Sequence, residues 1–189
     1  MLKTATIILL TSTLLLASNP KKEVNQELKE VKKIGKMASK QLLERLVKEL
    51  KKSIKTNGFG KTIDFCSSKA IPITHEIDEK LGKDISIKRI SLRYRNNGNQ
   101  PNENEEKILK NLEELNKLGI KLTPLIQKTN SGYRYIKPLV INKKVCLNCH
   151  GDNLSKEVQT ALTKNYKIDR ATGYKMGDLR GAIIVDIKR

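Results

Sequence analysis

The sequence predicts an α+β domain in which a central antiparallel sheet is flanked by helices and preceded by a long N-terminal helix. Three observations support this prediction: a helical spacing of apolar residues over 21–55, several short strand-like apolar runs after it, and turn residues between those runs. The predicted order is helix, helix, strand, helix, hairpin, motif-bearing loop and strand. Such an order is typical of helices packed on an antiparallel sheet.

The long helix is predicted over residues 21–55, where apolar residues step by three and four along one face and Lys and Glu fill the other. Its first half carries few apolar residues. We therefore expect residues 19–40 to project as a helical stalk and residues 41–189 to form the domain. Asn57-Gly58, with Gly60 close behind, predicts the end of this helix.

A shorter helix is predicted over residues 61–70. Pro72 is expected to interrupt or redirect it, because the proline ring removes a backbone donor. A further helical segment over 73–81 is closed by Gly82. Residues 85–94 are then predicted to form a strand, in which the alternation of apolar and polar residues slips once.

The middle of the chain predicts a second well-defined helix. Residues 96–99, Asn-Asn-Gly-Asn, form a strong turn signal. Pro101 follows at a position where the first helical turn tolerates proline. The helix is predicted over residues 102–118, and Gly119 is its expected C-terminal cap.

The remaining strands are predicted from short apolar runs. Residues 122–128 and 133–141 are expected to form a hairpin that turns at Ser131-Gly132. Pro138 indicates an edge position or a break in the second of these strands. Residues 181–187 are almost continuously apolar and predict a terminal strand.

The charge balance is strongly basic, with 38 Lys and Arg against 20 Asp and Glu, a net charge of +18. A strongly basic chain can bind nucleic acid or anionic membranes, so both are considered as partners. The positive charge is spread along the chain and accompanies no nucleic-acid-binding motif, so nucleic acid is not predicted as a partner. A Lys-rich solvated surface is the simpler interpretation.

Residues 1–18 have the features of a secretory signal. Lys3 supplies the positive start, residues 5–17 form an uncharged and largely apolar run, and Ala17-Ser18 offers small residues for cleavage. The run is short for a membrane span, which needs roughly 20 apolar residues. A cleaved signal is therefore favoured over an uncleaved anchor. Both predict a periplasmic or other extracytoplasmic location, and the second predicts membrane association through the N-terminus.

The cysteine count is odd, with Cys66, Cys146 and Cys149. An exported protein stapled by disulfides usually has an even number, so an odd count in an oxidising compartment needs an explanation. If Cys146 and Cys149 are both consumed in one site, Cys66 is left over. The leftover thiol then becomes a candidate functional residue.

Cys146-Leu147-Asn148-Cys149-His150 has the spacing of a c-type haem attachment site. The two thiols reach two vinyl groups of one haem, and the adjacent imidazole supplies an axial bond to the iron. Three alternatives compete: half of a zinc site, a thiol–disulfide redox pair, and a simple disulfide loop. The chain has only one other histidine, His75, and no second Cys pair to complete a tetrahedral zinc site. The sequence therefore predicts one covalent haem c.

The other axial position has several candidate ligands. They are Cys66, His75, Met37 and Met176. A lone cysteine is often just a small buried apolar residue. An unprotected thiol is nevertheless a liability outside the cytoplasm, so Cys66 is favoured as a metal ligand together with His150.

Haem propionates need cationic or hydrogen-bonding partners. Arg89, Ser91, Arg93 and Arg95 alternate along the strand predicted over 85–94 and its end, so they are expected to share one polar face. Arg93 and Arg95 are the predicted cofactor-binding residues of this set. An ordinary solvated sheet face is an equally good interpretation for each of them.

Several segments together resemble a family of bacterial PAS-like proteins that carry a single c-type haem. The resemblance covers residues from about 40 to 189. The matching segments are Asp-Phe-Cys-Ser-Ser-Lys-Ala at 64–70, Ile-Ser-Leu-Arg-Tyr-Arg-Asn at 90–96, Pro101 with Glu105, Cys-Leu-Asn-Cys-His-Gly at 146–151, and Ala-Thr-Gly-Tyr-Lys-Met-Gly-Asp-Leu-Arg-Gly at 171–181.

The resemblance implies a PAS-like sheet that holds the haem, with His150 on the proximal side and Cys66 on the distal side. It also implies a redox-sensing or gas-sensing role. A haem enzyme such as a peroxidase is not predicted, because the sequence offers no distal set of His, Arg and carboxylate to support it. The chain departs from the family in lacking a signalling output domain, and Asn97 stands where a proline is expected. Sensing then requires a separate, unidentified redox or signalling partner. A small periplasmic electron-transfer cytochrome is the alternative function.

Overall fold

One long helix, α1 (Pro20–Leu81), opens the part of the chain that this computed structural model describes, residues 20–189. It is interrupted at Gly58, whose φ of 72° lies in the left-handed region that glycine adopts readily. The predicted break is therefore confirmed. The predicted signal at 1–18 lies outside the described residues. Within 20–189, no helix combines the length and the apolar character needed to cross a membrane.

Pro72 lies inside the second half of α1, so the expected interruption there is wrong. An interior proline costs roughly 3 kcal/mol. Ile73 and Ile77, which follow it in the helix, are buried. Each such burial contributes about 1.5–3 kcal/mol, which is enough to hold the helix through the proline.

Four strands and three helices follow α1. They are β1 (Ile85–Ile90), α2 (Glu103–Lys117), β2 (Leu125–Thr129), β3 (Gly132–Val140), α3 (Leu147–His150), α4 (Lys156–Asn165) and β4 (Leu179–Lys188). β1 is shorter than predicted, because the chain turns away from the sheet after Ile90 and residues 91–95 are not part of the strand. α3 and α4 were not predicted. The first replaces the expected motif-bearing loop with a single helical turn.

The four strands form one antiparallel sheet in the order β1-β4-β3-β2. β4 is central and covered on both faces, which explains why its sequence is almost continuously apolar. β3 pairs with β4 throughout, whereas β2 accompanies it only as far as Ile136. Pro138 lies beyond that point, so its missing backbone donor costs no pairing with β2.

Helices cover the two faces of the sheet. On the first face, α1 packs against alternate strand residues; the buried members of this core are Val31, Ala38, Leu42, Ile77, Ile87, Tyr133, Tyr135, Ile183, Val185 and Ile187. On the second face, α2 covers Ile90, Ile136, Leu179, Ala182 and Ile184 with Leu109 and Leu112. The α+β class, with its long N-terminal helix, antiparallel sheet and flanking helices, is thereby confirmed.

The first half of α1 packs along the sheet instead of projecting from it as a stalk. Val31 and Ala38 have no exposed surface. At Gly35 the helix backbone comes so close to the sheet that a Cβ atom would overlap the Tyr135 side chain. The Tyr133 hydroxyl also donates a hydrogen bond to Glu27 Oε2 at 2.6 Å. A few small and apolar residues at the right spacing are thus enough to dock a mostly charged helix.

Residues 141–178, which contain α3 and α4, pack against the second half of α1; we call them the motif lobe. Val158 and Leu162 of α4 meet Ile63 in a small apolar cluster. At the end of α4, Asn165 Nδ2 donates to Asp64 Oδ1 at 2.6 Å, and its Oδ1 accepts from the Ser67 hydroxyl at 3.0 Å. These contacts fix the motif lobe beside the helix turn that carries Cys66.

Candidate functional site

The two-cysteine motif lies on one short stretch of helix. A 3-10 turn at Lys144–Cys146 leads directly into α3, Leu147–His150. Cys146 and Cys149 are three residues apart, so their side chains emerge from the same side of the helix. Both are free thiols and half-buried. The sequence therefore folds locally so that both sulfur atoms and the following imidazole are presented together.

Only one ring nitrogen of His150 makes a hydrogen bond within the described structure. Its Nδ1 lies 2.8 Å from the carbonyl oxygen of Ala171. Because a carbonyl can only accept a hydrogen bond, Nδ1 carries the proton and Nε2 keeps a free lone pair. Burial, reinforced by the positive charges of Arg180 and Arg95, holds the pKa of His150 well below its usual range. A neutral imidazole with a bare Nε2 is the form that binds a metal ion.

The backbone around His150 is held by the segment that contains Gly173 and Tyr174. The amide of Tyr174 donates to the carbonyl of His150, and the amide of Gly173 donates to the carbonyl of Gly151, both at 2.9 Å. The Tyr174 ring meets the imidazole edge-on, with 6.2 Å between the ring centres. Gly173 has a φ of 70°, which explains the glycine in this part of the sequence. Part of the segment at 171–181, which carries the family resemblance, thus packs directly against the motif.

Arg95 is buried, with 8% of its surface exposed. Its Nη2 donates to the carbonyl oxygens of Cys149 at 2.6 Å and Ala171 at 3.2 Å, and its Nε donates to Asp169 Oδ1 at 3.0 Å. Asp169 Oδ1 also accepts from the amide of Ala171 at 2.8 Å. Arg95 therefore lies at the motif, where these donors point to protein oxygens; its binding of a cofactor stays a prediction.

Arg93 lies on the outer side of the same region and is half-buried. Its guanidinium group stacks on the Tyr174 ring at 4.1 Å, and its Nε donates to the carbonyl of Arg170 at 3.2 Å. The expectation that Arg89, Ser91, Arg93 and Arg95 alternate along one strand is wrong, since β1 ends at Ile90. Arg89 lies on β1, whereas Ser91, Arg93 and Arg95 lie in the turn that follows it.

Arg180 is a member of this cluster that the sequence did not single out. One Nη of Arg180 donates to the Ser91 hydroxyl at 2.7 Å and to the carbonyl of Arg93 at 3.2 Å. Burial is the main reason why the pKa of Arg180 is lowered. Its Nε atom, and that of Arg89, are buried and have no hydrogen-bond partner within the described residues. Burial, together with the nearby charge of Arg180, also lowers the pKa of Arg89, to about 10.

Cys66 reaches this site from the second half of α1. Burial raises the pKa of its thiol, while the positive charges of Arg95 and Arg89 act in the opposite direction. Burial also raises the pKa of Cys149 to about 11; Arg95 opposes that rise, and the neighbouring Cys66 and Cys146 add to it. Packing agrees with this: Cys149 contacts the apolar cluster that contains Ile63, one helical turn before Cys66, and Arg89 Nη2 donates to the carbonyl of Ala70 at 3.0 Å, one turn after it.

The other candidate ligands stay exposed. His75 is nine residues beyond Cys66 on α1, or about 13 Å along the helix axis, and its side chain is exposed. Met37 and Met176 have 53% and 46% of their surface exposed. Met37 also precedes the interruption at Gly58, on the half of α1 that packs against the sheet. Of the four candidates, the described structure brings Cys66 to the motif.

The donor set suits a haem better than a bare metal ion. Among residues 20–189, His, Cys, Asp and Glu side chains form no group of three or more that could hold a metal ion. The motif instead presents two free thiols, one bare imidazole nitrogen and, close by, two buried guanidinium N–H groups without partners. A surface cleft of about 540 Å³, lined by Gly151, Leu154 and Thr172 among others, adjoins the motif. The described structure thus gathers thiol, imidazole and guanidinium groups in one region.

Comparisons with known proteins agree with this fold. A family model described as Tll0287-like (Tll0287) matches residues 14–188. No curated protein matches the chain. Among solved structures, the crystal structure of the cyanobacterial heme-protein Tll0287 matches with a TM-score of 0.54 and 20% identity, covering 91% of this chain and 98% of that one. At this identity the likeness shows a shared fold.

Proposed function

The chain belongs to the Tll0287-like family, and from this premise we propose that it carries one c-type haem bound through Cys146, Cys149 and His150. The observation that carries the proposal is the state of His150: its Nδ1 is engaged by the carbonyl of Ala171, its Nε2 keeps a free lone pair, and the helical turn that ends at His150 also carries two free thiols. The structurally similar Tll0287 is itself described as a heme-protein. That description supports the same class of cofactor here.

The residues of the motif have separate chemical roles. Cys146 and Cys149 would hold the haem covalently, each through a thioether to one of its vinyl groups, and His150 would hold its iron through Nε2. When bound, the haem would supply a one-electron redox couple.

Cys66 is proposed as the second axial ligand. The resemblance implies it, and its nearness to Cys149 and to two arginines supports it. In the chain alone, burial raises the pKa of the Cys66 thiol, so ligation has to offset the cost of deprotonating it. The positive charges of Arg95 and Arg89 reduce that cost. A thiolate ligand would favour the ferric state and lower the reduction potential.

The buried arginines are proposed to receive the anionic propionates. Arg89 and Arg180 have the stronger case, because their unpaired Nε atoms are buried and a buried donor without a partner costs about 1–3 kcal/mol. Arg93, which is more exposed, keeps its predicted role at the edge of this group. A carboxylate would satisfy these donors and would also offset the accumulated positive charge.

The proposed role is that of an extracytoplasmic redox or gas sensor module acting through a separate partner protein. The support is the resemblance, together with the position of Cys66, the proposed second ligand, on a different helix from the attachment motif. An electron-transfer cytochrome remains the second candidate, and the exposed lysines along α1 favour it because they suit an acidic redox partner.

The test is an absorbance study of the full chain made in a host that matures c-type cytochromes. We expect a covalently bound haem that survives denaturation and is lost when Cys146 and Cys149 are both replaced by Ala. Cys66→Ser should change the ferric spectrum. Ready binding of carbon monoxide by the reduced form would favour a sensor. Failure of the reduced form to bind carbon monoxide would favour an electron carrier. A chain without covalent haem would overturn the proposal.

A further inference from the structure

Arg95 connects two parts of the site that sequence analysis treats separately. One Nη of its guanidinium group donates both to the carbonyl of Cys149, inside the attachment motif, and to the carbonyl of Ala171, the acceptor for His150 Nδ1. Its Nε is held by Asp169, whose same oxygen binds the amide of Ala171. Both backbone polar groups of Ala171 are thus hydrogen-bonded, the carbonyl to Arg95 and the amide to Asp169.

We propose that Arg95 is a positioning residue that sets the tautomer of His150. The chemistry rests on the carbonyl of Ala171. Placed 2.8 Å from Nδ1, this oxygen repels a bare ring nitrogen and accepts from a protonated one. It therefore selects the tautomer with hydrogen on Nδ1, which leaves Nε2 free to bind a metal ion. A carbonyl in a loop can perform this selection only if its position is fixed.

The segment around Ala171 needs such an anchor. It belongs to no helix or strand, and neither its carbonyl nor the amide of Ala171 takes part in a backbone–backbone ladder. Arg95 supplies the anchor from the turn after β1, 76 residues earlier in the chain. Because the guanidinium group is buried and forked, it fixes the carbonyl of Cys149 relative to that of Ala171. Arg95 therefore joins the turn that presents the thiols to the oxygen that orients the imidazole, in addition to the backbone hydrogen bonds that Gly173 and Tyr174 make two and three residues further on.

The inference rests on the proposed function for its effect on a haem, but its first consequence concerns the full chain without haem. The chain contains two histidines, His75 and His150. The ring nitrogens of both can be followed in ¹⁵N-labelled protein by long-range ¹H–¹⁵N correlation spectra, and the exposed His75 serves as an internal reference. We expect the wild-type chain to hold His150 with hydrogen on Nδ1.

Arg95→Gln should shift this equilibrium. We expect the ratio of the Nδ1–H to the Nε2–H tautomer at His150 to fall at least about fivefold, since a charge-assisted contact is worth more than a neutral one. Arg95→Lys keeps the charge but not the fork, so it should restore only part of the ratio. Arg134→Gln is the matched control. Arg134 lies on β3, away from the site, and its guanidinium group donates two hydrogen bonds to Asp186 on β4. Removing that guanidinium group should leave the His150 tautomer unchanged.

A folded Arg95→Gln chain, verified by circular dichroism, whose His150 tautomer is unchanged would overturn the proposal. If that variant does not fold, Asp169→Ala provides the same test, because it removes the oxygen that accepts from both the Arg95 Nε and the amide of Ala171 while Arg95 stays; an unchanged ratio there also rejects the proposal. The second readout is the fraction of chains that acquire haem in a maturation-competent host, expected to fall severalfold in Arg95→Gln but not in Arg134→Gln. The two proposals can fail separately. If the wild-type chain takes up no haem, but Arg95→Gln still shifts the His150 tautomer relative to wild type, the proposed function is rejected and the role of Arg95 stands.

Discussion

The sheet and the motif lobe are held together by different forces. On the α1 face alone, ten buried apolar side chains pack around β4. The two apolar clusters of the motif lobe have three buried members each. The lobe compensates with polar contacts that span long stretches of sequence, from Arg95 to Ala171 and from Asp64 to Asn165.

This difference separates stability from site geometry. Apolar contacts are non-directional, and a core tolerates changes of shape if its volume is kept. Hydrogen bonds to buried carbonyls are directional and fail when one partner is removed. The sheet therefore provides the free energy of unfolding, while the polar contacts in the motif lobe fix the positions of His150 and the two thiols.

The largest effect is expected from Leu42→Ala. Leu42 is fully buried between α1 and the sheet, so its truncation should lower the free energy of unfolding by about 2–5 kcal/mol. Urea denaturation followed by circular dichroism measures this. Val47→Ala on the same helix, at a residue with 39% of its surface exposed, should change it by less than about 0.5 kcal/mol. Equal effects of the two substitutions would contradict the view that α1 docks through this face.

An intermediate and more local effect is expected from Asn165→Ala. The substitution removes the hydrogen bonds to Asp64 and Ser67, at a cost of about 1–2 kcal/mol. Hydrogen exchange should quicken in α4, while the amides of β4 keep their protection. Thr163→Ala, on the exposed side of α4, is the control. Faster exchange spread equally over the sheet would mean that the two regions do not open separately.

The smallest effect is expected at high pH. Burial, reinforced by the charge of Cys66, raises the pKa of Tyr166 to about 12. The folded chain holds this proton more tightly than the unfolded chain, whose tyrosines titrate near 10. The stabilising contribution is therefore complete below pH 10 and is lost as the pH rises toward 12. Absorbance at 295 nm should show a late tyrosine step that Tyr166→Phe removes; one common step for all five tyrosines would contradict it.

The sheet could largely be predicted from local sequence. The apolar run of β4, the turn before β3 and the asparagine that caps α2 each act through neighbouring residues, so their signals are visible without a structure. The break at Gly58 has the same origin. α4 escaped prediction because it is short and carries few apolar residues, although Ser155 does cap it. Residues 91–95 resemble a strand locally, and only contacts with distant segments turn them away from the sheet.

The site was predictable to the extent that it depends on side chains in a fixed spacing. The spacing alone indicated Cys146, Cys149 and His150, while the odd cysteine count, and then the family resemblance, indicated Cys66. The roles of Arg180 and Asp169 depend on partners more than 70 residues away. The carbonyl of Ala171 has no sequence signature at all, because every residue has a carbonyl. Such groups become visible only when the backbone is in place.

The position of β4 in the sheet also has a consequence for how the domain is made. β1 lies on one side of it and the β2–β3 hairpin on the other, and neither side pairs with the other directly. The hairpin can close early from local contacts, but β1 has to wait, unpaired, for a strand that begins 89 residues after its own last residue, Ile90. Synthesis on the ribosome must therefore deliver the β4 segment before the sheet can assemble, and the segment that carries both cysteines of the motif emerges while the sheet is still open.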